Sequence, residues 1–197
     1  MIEAAVVEFG EMGFGNASMD AIALRAKVSK RTLYNRFSSK EALFGAVVTD
    51  LMHRISNAAT IRYQRDRPLR AQLEAYVRQS IELMRSDDNL KLSRAVVAEH
   101  IRAPDLVEPA LGTYWKSEYG FTAWVKAACR DGRLDARDAV RASHIFASLM
   151  RGTVFWPALL GRGKGESRNL GATIREAIDM FLAYYARTGG RVRRAQS

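Results

Sequence analysis

The sequence predicts an all-α fold, and three observations carry that expectation. Apolar residues recur at helical spacing along most of the 197-residue chain. No segment shows the short alternating pattern of a strand, and no repeat of fixed period appears. About nine helices are expected, a three-helix N-terminal module followed by a larger helical domain.

The first helix reads as residues 1–13, with Ile2, Ala5, Val6 and Phe9 on one face and Gly13 near its end. Ser18 is placed to cap a second helix carrying Met19, Ile22 and Ala23. Ser29 is placed to cap a third, carrying Leu33 and Phe37. Lys27, Val28 and Ser29 connect these two short helices tightly, and the pair is a helix-turn-helix candidate. A fourth helix is capped by Ser38, on its S-x-x-E spacing to Glu41, or by Ser39. Its apolar pattern continues through Phe44, Val47, Val48, Leu51 and Ile55, so it is expected to run on as a connector into the second domain.

Pro68 opens a fifth helix that buries Leu69, Leu73, Tyr76, Val77, Ile81 and Met84 and ends near Asp87 and Asp88. A sixth runs from Leu90 to Ile101 and stops before Pro104. Residues 105–130 keep helical periodicity, although Gly112 and Gly120 each cost about 1 kcal/mol against alanine, which predicts a bend or a close packing contact. Gly132 ends that helix, and Asp135 caps the next, which continues to Pro157. The Gly-rich stretch 161–169 reads as a mobile linker, because its Gly-Lys pair lacks the phosphate-loop frame and no strand precedes it. A last helix over 170–186 has a wide apolar face, and the basic tail 188–197 is expected to be disordered.

The chain is long enough for a small module plus one sizeable helical domain. Its single cysteine, Cys129, excludes an internal disulfide framework and suits a reducing cytoplasm. No apolar run has the length to span a bilayer, and Glu3 and Glu8 interrupt any signal-peptide reading, so a cytoplasmic protein without membrane attachment is expected. Net charge is +10, yet residues 1–50 hold six Lys/Arg and six Asp/Glu. The pattern of charge, rather than its total, therefore marks an anion-binding face.

That pattern lies in residues 25–40, RAKVSKRTLYNRFSSK, with six cations, no acid and several hydroxyls. Residues at the start of a recognition helix reach base edges, which points to Lys30, Arg31 and Thr32, with Asn35 as an adenine reader. Ser18, Ser29 and Arg36 are expected on the DNA backbone. The bland alternative is that these cations merely solvate one face of a small helix.

The run Val28, Ser29, Thr32, Leu33, Tyr34, Phe37, Ser39, Lys40, Glu41, Ala42 and Leu43 closely resembles the DNA-binding segment of the TetR/AcrR family of bacterial transcriptional regulators. The resemblance covers residues 2–47 and adds Tyr34 and Lys40, at positions that commonly bind phosphate. Two departures stand out. Lys27 occupies a turn position where the family usually has glycine. The short basic arm that usually precedes the first helix is missing here, which reads first as a start placed upstream of Met1 and otherwise as lost minor-groove contacts.

The resemblance implies residues 1–47 as the DNA-binding domain, 48–187 as a ligand-binding and dimerisation domain, and a homodimer whose two recognition helices enter successive major grooves of a palindromic operator. The last two helices are expected to form the dimer contact through Phe146, Leu149 and Val154 on one and Ile174, Ile178, Phe181 and Tyr185 on the other, the alternative being an intramolecular core. Residues 90–106 and 130–146 are similar to the C-terminal domain of the AefR-like subgroup, which implies an effector pocket. Met84, His100, Trp115, Tyr119, Trp124, Phe155 and Trp156 are its candidate lining, suited to an apolar or aromatic molecule. No metal-ligand spacing, catalytic constellation or cofactor motif appears, so no enzyme, metal or cofactor is expected. The reading is a ligand-released repressor. The alternative is a helical small-molecule binding protein with a vestigial DNA module.

Overall fold

The computed structural model describes residues 1–57, 61–116, 120–161 and 167–187. In chain order the helices are α1 (Ile2–Asn16), α2 (Met19–Arg25), α3 (Lys30–Arg36), α4 (Lys40–Asn57), α5 (Leu69–Met84), α6 (Asp87–Arg102), α7 (Pro104–Lys116), α8 (Gly120–Arg130), α9 (Ala139–Met150), α10 (Trp156–Leu159) and α11 (Ser167–Tyr185). A five-residue π turn, Arg151–Phe155, joins α9 to α10. Counted as one rod, that stretch leaves 10 helices and no strand among the described residues, close to the expected nine. The fold is all-α.

Packing divides the chain into two compact units, residues 1–58 with 82–117 and residues 59–81 with 118–197. In the first, α6 lies along α1, α7 lies along α4, and α2 and α3 complete the module at one end. Phe9, Phe14 and Phe44 form its aromatic centre, with Phe9 and Phe44 edge to face at 5.0 Å. Ile22, Leu33, Leu43 and Val47 are fully buried around them. Offset and edge-on ring contacts of this kind add about 0.5–1.5 kcal/mol each beyond area burial.

The second unit is built on Phe121, Trp124, Phe146 and Phe181 from α8, α9 and α11. A buried amide fixes its entry loop. Gln72 donates through Nε2 to the carbonyls of Gln64 (2.8 Å) and Arg67 (2.9 Å), and its Oε1 accepts from Gln64 N–H and from the Trp124 indole, both at 2.9 Å. All four hydrogen-bonding positions of the amide are occupied.

Several boundaries differ from the sequence reading. Asp87 and Asp88 open α6 instead of ending α5, where their charge faces the positive end of the helix dipole. The expected helix over 105–130 is two, α7 and α8. A side chain at Gly112 would meet open space, so no close packing occurs there. Asp138 rather than Asp135 caps α9, accepting Arg141 N–H at 2.9 Å. Asp135 instead donates its N–H to the Tyr185 carbonyl, beside an isolated bridge between Leu134 and Ala186.

Pro157 does not stop its helix either. A proline inside a helix lacks an N–H and crowds the carbonyl four residues earlier. The π turn accommodates it, since Trp156 N–H reaches the Arg151 carbonyl five residues back. The interior of the linker and the basic tail, residues 162–166 and 188–197, lie outside the described residues.

Candidate nucleic-acid interface

Helix α3 has seven residues, and only Leu33 is buried. Lys30, Arg31, Thr32, Tyr34, Asn35 and Arg36 are all exposed. Ser29 Oγ accepts Thr32 N–H at 3.0 Å and lies 2.8 Å from the Thr32 hydroxyl, so the cap also orients a predicted base-reading side chain. Ser18 caps α2 through Asp20 N–H (3.2 Å) and Ala21 N–H (3.5 Å). Ser39, not Ser38, caps α4, by accepting Ala42 N–H at 3.1 Å. The Glu41 carboxyl is held below its ordinary range, chiefly by its own backbone N–H and then by the Ser39 hydroxyl.

The turn between α2 and α3 closes on two bonds, Val28 N–H to the Ala23 carbonyl (3.0 Å) and Lys27 N–H to the Leu24 carbonyl (3.1 Å). That pattern requires a left-handed residue at Lys27, whose φ is +55°, alone among the described non-glycine residues in being positive. The turn is therefore the one glycine builds elsewhere, made here with a lysine.

Several cations on this face already have partners, Arg25 among them, paired with Glu11 at 3.1 Å. Lys30 Nζ lies 2.8 Å from Asp20, whose hydrogen bond and charge raise the lysine pKa. Lys40 Nζ donates to three carbonyls, those of Phe14 (2.8 Å), Gly15 (3.1 Å) and Ala17 (3.2 Å), and sits 4.7 Å from the Phe14 ring centre. An ammonium has three N–H donors, so Lys40 spends all of them on the end of α1. Arg36 lies over the Phe37 ring. Arg31 has no ion pair among the described residues.

Glu8 was not singled out by sequence and is 5% exposed. Its Oε1 accepts Ser18 N–H at 3.2 Å and its Oε2 lies 3.8 Å from Arg25, so one carboxylate ties α1 to both ends of α2. Its place beside the Ala5 and Phe9 stripe was the available signal, since a charge on the edge of an apolar face must find a partner.

The candidate effector residues do not form one group. Met84 and His100 belong to the first unit, and Trp124, Phe155 and Trp156 to the second. Trp124 is core, and Trp156 is exposed and packs edge-on against Phe155 at 5.6 Å. Trp115 falls on α7 without a described side chain, and Tyr119 lies outside the described residues.

Of the expected dimer residues, Phe146, Val154, Ile178 and Phe181 are buried in their own chain, while Leu149, Ile174 and Tyr185 are half-buried. The exposed apolar residues of the same helices are Ile145, Trp156, Met180 and Tyr184, with Leu160 just beyond α10. An open groove of about 600 Å3 follows the outer face of α9 past Arg141, His144 and Ile145.

No helix among the described residues is long and apolar enough to cross a membrane. Among those residues no group of three or more His, Cys, Asp or Glu could hold a metal ion.

Comparison with known proteins places this geometry. The family of bacterial regulatory proteins named for tetR matches residues 1–47, and the AefR-like transcriptional repressor C-terminal domain matches residues 71–187. A crystal structure of a TetR family transcriptional regulator from Pseudomonas syringae pv. tomato is 34% identical, covers 95% of each chain and superposes with a TM-score of 0.73. The flavonoid-responsive regulator FrrA is 26% identical over 94% of each chain, with a TM-score of 0.70. A stretch of 59 residues is 36% identical to the uncharacterized HTH-type transcriptional regulator YhgD of Bacillus subtilis, spanning 30% of this chain and 31% of that one. Matched at both ends and over nearly its full length, the chain belongs to the TetR family and is a DNA-binding transcriptional regulator.

Proposed function

We propose that the protein is a ligand-responsive repressor: a dimer places two copies of α3 on a palindromic operator, and a small apolar or aromatic molecule releases it. Residues 1–47 act as the DNA-binding domain and residues 48–187 as the ligand-binding and dimerisation domain. The observation that carries the reading is α3 itself, with six exposed polar, basic or aromatic side chains on a helix anchored by the single buried Leu33. Lys30, Arg31, Thr32 and Asn35 read bases, while Ser18, Ser29, Tyr34 and Arg36 contact the backbone. Lys40 sets the position of this face by holding the end of α1.

The packing of α6 and α7 on α1 and α4 supports coupling, because helices of the effector-binding segment share a compact unit with the DNA reader. A ligand that prefers one arrangement of α6 over another then biases α1 directly. A coupling of about 1–3 kcal/mol would change operator affinity roughly 5- to 150-fold. The flavonoid response of FrrA favours an aromatic effector.

The test is fluorescence anisotropy on the DNA upstream of the gene at two salt concentrations, with Arg36→Ala and Tyr34→Ala. Tight binding is expected, with a salt slope that Arg36→Ala lowers by about 0.9, because a cation that neutralises a phosphate releases condensed counterions, and that loss of the uncharged Tyr34 contact leaves unchanged. Absence of any sequence-specific binding would leave ligand binding as the protein's function and remove the repressor reading.

A further inference from the structure

Helix α6 carries a line of polar side chains where its burial calls for apolar ones. Asn89 and Ser93 are 7% and 3% exposed, and His100 is half-buried. Asn89 Nδ2, Ser93 Oγ and His100 Nδ1 are all shut off from solvent and have no hydrogen-bond partner in the protein. The three positions fall within about 40° of one another around the helix axis. Leu92 and Val96, on the adjoining arc, belong to the core shared with α1 and α4.

Buried polar atoms without partners cost folding free energy, and native chains carry few of them. Three on one line of one helix point to a partner supplied from outside. Their spacing describes it. Asn89 and Ser93 are one helical turn apart and form one pole, and His100 lies about 10 Å further along, seven residues at the helical rise. Val96 sits between the poles. The unpartnered atoms on this line belong to an amide, a hydroxyl and an imidazole, with no carboxylate or ammonium among them, and the buried Glu99 beside them is already bound by Arg102. The line therefore matches uncharged oxygen groups better than a carboxylate or an amine.

We propose that the effector is an elongated, uncharged molecule with an apolar middle and a hydroxyl or carbonyl at each end, one end on Asn89 and Ser93 and the other on His100. This rests on the reading of the chain as effector-responsive and names the chemistry of that effector.

The test uses 4,4′-dihydroxybiphenyl, whose oxygens are spaced to reach both poles, against biphenyl and biphenyl-4,4′-dicarboxylate, titrated by calorimetry into the full chain. The diol should bind at least about tenfold tighter than either, a margin of one hydrogen bond or more, and Ser93→Ala and His100→Phe should each remove that margin. Equal binding of diol and biphenyl, or no binding of the diol, overturns the proposal. A second reading needs no ligand: Ser93→Ala should raise the melting temperature of the free protein by about 2 °C or more over Ser143→Ala. Ser143 is the matched control, a buried helical serine whose hydroxyl does have a partner, the Ala139 carbonyl at 2.6 Å. A lower melting temperature for Ser93→Ala would mean that its hydroxyl is already satisfied. Neither measurement involves DNA, so failure of the repressor reading shows separately, as loss of operator binding with the diol preference intact.

Discussion

Lys27 and Gly132 occupy the same position in the same motif. At the end of α8, Arg133 N–H reaches the Ala128 carbonyl (3.0 Å) and Gly132 N–H the Cys129 carbonyl (3.0 Å), repeating the bond pair that closes α2. Gly132 has φ +71° and Lys27 φ +55°. A left-handed residue with a Cβ costs about 1–2 kcal/mol, part of which glycine returns in chain entropy. Lys27→Gly should therefore stabilise the protein by about 0.5–1 kcal/mol, and Gly132→Lys should destabilise it by a similar amount, both read from urea midpoints. Equal and null effects at the two sites would remove the argument. Lys40 is a second residue whose structural role can be weighed. Hydrogen bonds to a charged group contribute about 1.5–3 kcal/mol, so Lys40→Met should lower stability on that scale. A lysine that only bound phosphate would leave stability within about 0.5 kcal/mol.

Among the elements, the loop before α5 offers a pH test. Tyr63 donates its hydroxyl to Asp131, with Arg133 over its ring, and burial, reinforced by that carboxylate, pushes the phenol above its ordinary value of 10.0. The folded state then holds the proton more tightly than the unfolded one. Its contribution is complete below about pH 10 and is lost as pH rises through the folded value. Urea titrations should show wild type more stable than Tyr63→Phe up to about pH 10, with the gap closing above it. A gap independent of pH would leave packing as the cause.

Element boundaries were legible where a local signal decides them: Ser18 and Ser29 cap as short polar residues before apolar runs do, and Gly132 closes α8, whereas at α4 the S-x-x-E spacing favoured Ser38 and the cap is Ser39. They were illegible where tertiary context decides. Nothing in the periodicity of residues 105–130 separates α7 from α8, and a widened turn that lets a helix pass Pro157 leaves no composition mark. Burial on the last helices was hidden for a related reason. Ile174, Ile178 and Phe181 share a broad apolar face with Met180 and Tyr184, and spacing alone cannot say which half meets the chain's own core. The three carbonyls held by Lys40 come from residues 14, 15 and 17, a pairing that no local pattern encodes.

At the scale of the whole molecule, net charge divides unequally between the two units. The first unit holds 12 Lys and Arg against 12 Asp and Glu, and the second 19 against 9, so the entire +10 lies away from the helix-turn-helix. Exposed Met180 and Tyr184, at 61% and 64%, stand one turn apart on α11 in that basic unit. If they meet their copies in a two-fold dimer, like charges oppose an apolar contact, and added salt screens the repulsion. Salt should then strengthen dimerisation while it weakens operator binding, which counterion release makes salt-sensitive in the opposite direction. Met180→Glu with Tyr184→Glu should give a folded monomer by sedimentation, since both side chains are mostly exposed and lie outside the buried core. Its affinity for a full palindrome should fall by about 100-fold or more, because the second half-site no longer binds intramolecularly, while affinity for a single half-site stays as in wild type. A variant that still sediments as a dimer would place the interface elsewhere. A monomer that kept full palindrome affinity would show that each α3 reads its half-site alone.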